Sequence, residues 1–259
     1  MIRPITILSI AGSDNSSGAG IQADLKAAKD LNAYCLNALT VITSQNSKKI
    51  FETFHLPLKI VISQIKSLIN EYNINGVKIG LIANKLLANE IVNIFKFFDK
   101  SIPIVIDPIY KSSTNKVFIS QKDYLYIYKK LSELSPYFTP NIVEAKIMSM
   151  MKNSETATIE EITNSILKNY KGTFVITGGD YDKEYSTDHL ILENKRFIFK
   201  SRKIKKGNTH GSGCCFSTAL AVFLARGVKI DSAVRKSKEY VRRKIKNSPN
   251  FGLVYGPIN

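Results

Sequence analysis

No stretch of this chain is apolar over the roughly 20 residues that a membrane-spanning helix needs. The apolar patch from Ile5 to Ile10 is too short for the core of a secretion signal and soon runs into Gly12-Ser13-Asp14. No membrane partner is expected. Cysteine is scarce: there are three, two of them adjacent at Cys214 and Cys215, which cannot build a disulfide framework, and no metal-finger spacing accompanies them. That usage fits a reduced, cytoplasmic protein. A long linker, an internal repeat and a low-complexity segment are also missing. Residues 1–259 are therefore expected to form a single domain, a size that one large α/β unit fills.

Acidic residues are few, 21 against 37 Lys and Arg, for a net charge of +16. Residues 195–259 hold 16 of the basic residues and only two acids, Asp231 and Glu239, so they carry +14 while residues 1–194 are nearly neutral. A basic region of this kind can bind phosphates without sequence preference. No aromatic-interleaved RNA motif or zinc-finger spacing stands beside it, so no dedicated nucleic-acid partner is expected. A basic face around a nucleotide site accounts for the same surplus. A nucleic-acid-binding or regulatory protein is kept as the alternative from a different class.

The most informative stretch is Asn208-Thr209-His210-Gly211-Ser212-Gly213-Cys214-Cys215, just before a run that stays small or apolar to Ala225 apart from Ser217 and Thr218. A helix apolar on nearly every face is a buried one. It should stop at Gly227, placed as a C′ glycine. Gly211 and Gly213 sit where the first turn begins, leaving backbone N–H groups uncovered. Those orphan donors, at the positive end of the helix dipole, make an anion site. The same field should favour the thiolate of Cys214. An anion hole beside an ionisable group suits phosphoryl transfer, in which positioning and charge stabilisation dominate. A glycine-rich helix start with an inert cysteine is the plainer reading of the same residues.

Elsewhere the pattern alternates. Strands are expected at Ile5 to Ala11, Leu39 to Thr43, Val77 to Ile82, Ile104 to Ile109, Tyr137 to Thr139 and Phe174 to Thr177. Helices are expected at Ile21 to Leu31, Pro57 to Tyr72, Leu86 to Phe98 and Tyr124 to Leu134, and from about Val143 and Ile159. Such alternation predicts a mostly parallel central sheet with helices on both faces. His189 to Phe199 alternates around Glu193-Asn194, which predicts a small edge hairpin. The glycine loop after the first strand, Gly12 to Gly20, places a ligand at the C-terminal end of a parallel strand. It lacks both the Gly-Lys-Ser/Thr of a Walker A loop and G-x-G-x-x-G. The small polar residues Ser112, Ser113, Thr114 and Asn115, after the strand that ends near Asp107-Pro108, fit either a mobile cover or an ordinary turn.

The string NTHGSGC resembles the signature of the ribokinase superfamily, and in particular of its hydroxymethylpyrimidine and phosphomethylpyrimidine kinases. Sugar kinases of that superfamily carry Asp where this chain has Cys214. The likeness continues in order along the chain: Ala11 to Asp14, Gly18 to Lys26, Thr43 to Asn46, Val77 to Gly80, Asp107-Pro108, Thr139 to Asn141 with Glu144, Thr177 to Gly179, and Gly256 to Asn259. It implies a ribokinase-like three-layer α/β sandwich that uses ATP and Mg²⁺ in thiamine biosynthesis. The resemblance also implies a homodimer. By position, Asp24 and Gln45 would hydrogen-bond an aminopyrimidine, with Gly12, Leu81 and Ile109 lining its pocket. Asp107, Asn141 and Glu144 would organise the metal, while Asn208, Thr209, Thr177 and Lys238 would meet the nucleotide. Gly211, Ser212 and Gly213 would hold the developing charge, and Cys214 would act as base or hydrogen-bond acceptor. Pyridoxal kinase is the second enzyme reading, since that activity occurs among close relatives. The chain departs from the common pattern at Thr177, Asp180, Leu81, Thr114-Asn115 and Tyr255.

Overall fold

The computed structural model describes residues 4–179, 184–193, 195–204, 208–249, 251 and 256–258. Asn194, Asn259 and the departures at Asp180 and Tyr255 lie outside the described residues.

Strand β1 (Ile5–Asp14) is buried over most of its length, because a parallel strand covered on both faces needs an unbroken apolar run. It is followed by α1 (Gly20–Asp30), β2 (Ala33–Gln45), β3 (Ile50–His55) and α2 (Leu58–Glu71). Next come β4 (Gly76–Ile79), α3 (Lys85–Phe95), β5 (Ile104–Ile106), α4 (Gln121–Leu131) and β6 (Tyr137–Phe138). The chain continues through α5 (Ile142–Ser149), α6 (Ile159–Asn169), β7 (Thr173–Ile176), β8 (Tyr185–Leu192) and β9 (Lys195–Arg202), and closes with α7 (Ser212–Ala225) and α8 (Ile230–Lys246). All nine strands belong to one sheet in the order β3-β2-β1-β4-β5-β6-β7-β8-β9. The run from β2 to β7 is parallel; β3 at one edge and β8–β9 at the other pair antiparallel. Helices α2 to α6 supply the apolar core on one face, and α1, α7 and α8 that on the other. This is the expected ribokinase-like three-layer arrangement with its edge hairpin. Among the described residues no helix is long and apolar enough to cross a membrane.

Some elements differ from those expected. β2 runs well beyond the short strand read from Leu39 to Thr43, and β3 was not expected at all. The reason is exposure: Phe51 and Phe54 on β3 are 55% and 63% exposed, so no buried-face alternation marks the strand. The strands read to Ile82 and Ile109 instead stop at Ile79 and Ile106. Beyond them Leu81 and Ile109 wall a cleft, while Ile82 packs in the core.

Helix α7 behaves as its composition demands, with Cys214 to Val222 all buried. Its hydroxyls find partners inside: Ser217 donates to the Gly213 and Cys214 carbonyls, and Thr218 donates to Asp24 at 2.8 Å. At its end Gly227 adopts φ +74°, its N–H meets the Leu224 carbonyl at 2.8 Å, and Val228 N–H meets that of Phe223 at 3.1 Å. This is the Schellman arrangement that the C′ glycine predicts.

Candidate active site

A cleft of about 400 Å³ opens at the C-terminal ends of the parallel strands. Gly12 lies within β1, while Leu81, Asp107, Ile109 and Thr177 follow β4, β5 and β7; all line the cleft with Gln45 at the end of β2. Thr209, Gly211, Ser212, Gly213 and Cys214 approach from the start of α7, and Asn141 and Glu144 from the start of α5.

The α7 start is an anion site of defined shape. Gly211 caps the helix at φ +82°, and a Cβ there would run into the Gly18 carbonyl oxygen. Only glycine lets the two loops approach this closely. The Ser212 N–H is taken by the Thr209 carbonyl at 3.1 Å. The amides of Gly213 and Cys214 are the next donors of the turn, and both residues line the cleft. Ser212 itself therefore contributes less through its backbone than the sequence suggests.

Around this turn lie buried ionisable groups. Asp107 is held above the usual carboxylate range, chiefly by burial, with Lys78 pulling against that. Glu144 is raised too, by burial first and then by the charge of Asp107. Asn141 and Glu144 form a capping box on α5: the Asn141 side chain accepts from Glu144 N–H, and the Glu144 carboxylate accepts from Asn141 N–H, each at 2.9 Å. The expectation of a favoured thiolate at Cys214 is overturned. Burial pushes that thiol far above its ordinary value; Lys78 opposes the rise, and Asp107 and Asp24 add to it. Desolvation of a thiolate outweighs the helix field at this depth.

Three expected site residues stand elsewhere. Asp24 is fully buried and does not reach the cleft wall. Both its oxygens meet Lys78 Nζ, at 3.0 and 2.9 Å, and it accepts from Ser9 at 2.6 Å and from Thr218. A carboxylate so surrounded is a counter-ion, so direct recognition of a pyrimidine by Asp24 is corrected to support of Lys78, which does line the cleft. Lys238 lies on α8, is 8% exposed and binds Asp188 at 2.8 Å and Ser186 at 3.0 Å, away from the cleft lining. Asn208 is also outside that lining; its amide donates to the Pro249 carbonyl and so braces the C-terminal segment. Because Lys78 is wholly buried, Asp24→Asn should cost about 3–5 kcal/mol of folding stability by leaving an ammonium unpaired. Urea unfolding of both proteins checks this.

Sequence reasoning missed Asp14, Lys78, Ser113 and His210, all at the cleft. Asp14 accepts from the Ser16, Gly18 and Ala19 N–H groups and from the Ser16 hydroxyl, which folds the loop between β1 and α1 around one carboxylate. Burial alone would raise Asp14; bonds from His210, Ser16 and Gln45 instead hold it well below the usual range. The signal available was Asp14-Asn15-Ser16, an Asx-type turn.

A glycine-rich helix start facing buried carboxylates within a doubly covered parallel sheet suits a phosphotransferase. The sequence model of the family described as phosphomethylpyrimidine kinase matches residues 14–259. Among curated relatives, the hydroxymethylpyrimidine/phosphomethylpyrimidine kinase of Aquifex aeolicus is 31% identical, covering 96% of this chain and 97% of its own length. That of Haemophilus influenzae is 30% identical, covering 98% and 95%. Among solved structures, a phosphomethylpyrimidine kinase from Clostridium difficile superposes with a TM-score of 0.78 at 31% identity, covering 93% of this chain and 99% of that one. A Bacillus subtilis pyridoxal kinase in an ADP complex superposes with a TM-score of 0.87 at 30% identity, covering 98% and 97%. The chain belongs to the phosphomethylpyrimidine kinase family.

Proposed function

We propose that this protein transfers the γ-phosphoryl group of ATP to the hydroxymethyl oxygen of 4-amino-5-hydroxymethyl-2-methylpyrimidine, and then phosphorylates the monophosphate to the diphosphate used in thiamine biosynthesis. The observation that carries the reaction type is the first turn of α7 meeting Asp107 in one cleft: a Cβ on Gly213 would stand 3.7 Å from Asp107 Oδ2. The donors at Gly213 and Cys214 suit the charge that develops on the transferred group. Asp107, ionising well below the buried thiol, is the better acceptor for the proton of the attacking hydroxyl. Cys214 then serves as its hydrogen-bonding neighbour rather than as a thiolate base. Gln45, with Gly12, Leu81 and Ile109 beside it, supplies an amide edge for an aminopyrimidine.

Asp107, Asn141 and Glu144 would hold a hydrated Mg²⁺. Two buried carboxylates facing one cleft, one raised by burial and then by the charge of the other, suit a cation that relieves their repulsion. Among the described residues no group of three or more His, Cys, Asp or Glu side chains gathers around one point. A cation here would keep much of its shell as water and phosphate oxygen, as Mg²⁺ does. Bound, it would neutralise phosphate charge. Assembly as a homodimer is part of the same reading and would cover the exposed Phe51 and Phe54 of β3.

Pyridoxal kinase is the second reading, favoured by the superposition on the Bacillus subtilis enzyme. Some pyridoxal kinases of this kind carry a cysteine on the cover loop that can capture the aldehyde; residues 107–116 contain none. ATP turnover with the pyrimidine alcohol, its monophosphate and pyridoxal should give the highest kcat/KM for a pyrimidine. A value for pyridoxal equal to or above it rejects the assignment and leaves the phosphotransferase standing.

A further inference from the structure

The cleft is covered by a short hairpin, residues 111–117, whose own hydrogen bonds close on themselves. Lys111 bridges Val117, Ser112 N–H donates to the Lys116 carbonyl at 2.9 Å, and Asn115 turns the tip at φ +64° with its N–H on the Ser112 carbonyl at 3.0 Å. The Ser112 hydroxyl contacts that of Thr114 at 2.9 Å and accepts from Lys116 N–H at 3.0 Å. The hairpin is therefore a preformed piece, and what seats it is a separate matter. Among the described residues, one hydrogen bond reaches its tip from the rest of the fold: Ser113 Oγ to His210 Nδ1, 2.8 Å.

The other ring nitrogen of His210 lies 2.8 Å from Asp14 Oδ2. Every other group that Asp14 binds through its carboxylate is a donor, and strong hydrogen bonding keeps that carboxylate ionised. Nε2 must therefore carry a proton. In the neutral ring Nδ1 then accepts from the Ser113 hydroxyl, and in the charged ring it donates to that oxygen. The contact survives either state. The ring is further fixed by Gly18, where any side chain would run into it, and its backbone is tied to Gly256 and Ile258, each at 3.3 Å.

We infer that His210 is a positioning residue for phosphoryl transfer, clasping residues 111–117 over the cleft by joining Ser113 to Asp14. Because Gly211 follows directly, the clasp and the anion site share one backbone segment, so seating the cover and presenting the α7 amides are coupled. A seated cover keeps water from the transferred phosphoryl group. This rests on the phosphotransferase reading, but seating of the hairpin can be measured without any substrate.

The test compares full-length wild type, Ser113→Ala, His210→Ala, the double variant and Ser113→Thr. Hydrogen exchange is measured at residues 111–117, together with kcat, KM for the alcohol and ADP formed per alcohol phosphorylated. Loss of one hydrogen bond should speed exchange by about two- to tenfold in either single variant. The double variant should exchange no faster than His210→Ala, and Ser113→Thr should restore protection. KM and the ADP excess should rise in step with exchange. Ser113 is exposed, so its alanine variant keeps the fold. Unchanged exchange in both single variants, or effects that multiply in the double variant, would overturn the clasp. Altered exchange with no turnover of the pyrimidine would count against the substrate and leave the clasp in place.

Discussion

Gly211→Ala is expected to reduce turnover by at least about 10²-fold, the size of effect that follows loss of a preorganised donor or a 1 Å misplacement of reacting groups. Two terms act together. The left-handed conformation at φ +82° costs an alanine about 1–2 kcal/mol. The added methyl also meets the Gly18 carbonyl, so either the α7 start or the loop after β1 must move. Both loops line the cleft, so neither can yield without displacing the site. Gly213→Ala is the control. Its backbone is helical, and the nearest atom to an added Cβ is Asp107 Oδ2 at 3.7 Å, an ordinary contact. It should melt at the wild-type temperature and lose less activity. Steady-state kinetics and thermal unfolding of the two variants check the contrast. Equal losses would show that the tight approach of Gly18 and Gly211 does not set the anion site.

The second large effect separates Asp107 from Cys214. Asp107→Asn should lower kcat by about 10²–10⁴, the range for a positioned base. Cys214→Ala should lose less, because a thiol kept protonated by burial has no base to forfeit. The pH dependence follows by sign. Asp107 accepts a proton only when ionised, so activity falls as pH drops through the ionisation of its carboxyl, which burial raises and a bound cation would lower again. That acid limb should vanish in Asp107→Asn and persist in Cys214→Ala. The reverse pattern in kcat against pH would return the base to the thiol.

Much of this was legible in the chain. The alternation of apolar strands and periodic helices predicted the sheet, because β1, β4, β5 and β7 are covered on both faces and helices such as α2 on one. The run from Phe216 to Ala225 announced a buried helix, and Gly227 its end. What stayed hidden has physical reasons. β3 buries almost nothing, so composition leaves no trace of it. Asp24 lies in the first turns of an ordinary amphipathic helix; that it faces a lysine from β4 depends on pairing across 54 residues, which no local pattern encodes. The field at a helix start was readable, but the depth of Cys214 was not, and depth decided the outcome. His210 was visible as a letter of a motif, while its partners came from the far end of the chain and from a loop.

The Asp24–Lys78 pair has a consequence for how this protein is made. Thr218, which shares the Asp24 carboxylate, lies 194 positions later in the chain, and His210 lies 196 beyond Asp14. A ribosome building this protein exposes β1, α1 and β4 long before α7 exists. Until then the buried charges lack one of their donors and the face of the sheet that α7 covers is bare. Contacts of such sequence separation close slowly and leave intermediates with exposed apolar surface. The final fifth of the chain therefore completes both the site and the fold, and a nascent protein stalled before residue 212 is a substrate for chaperones rather than a slow enzyme.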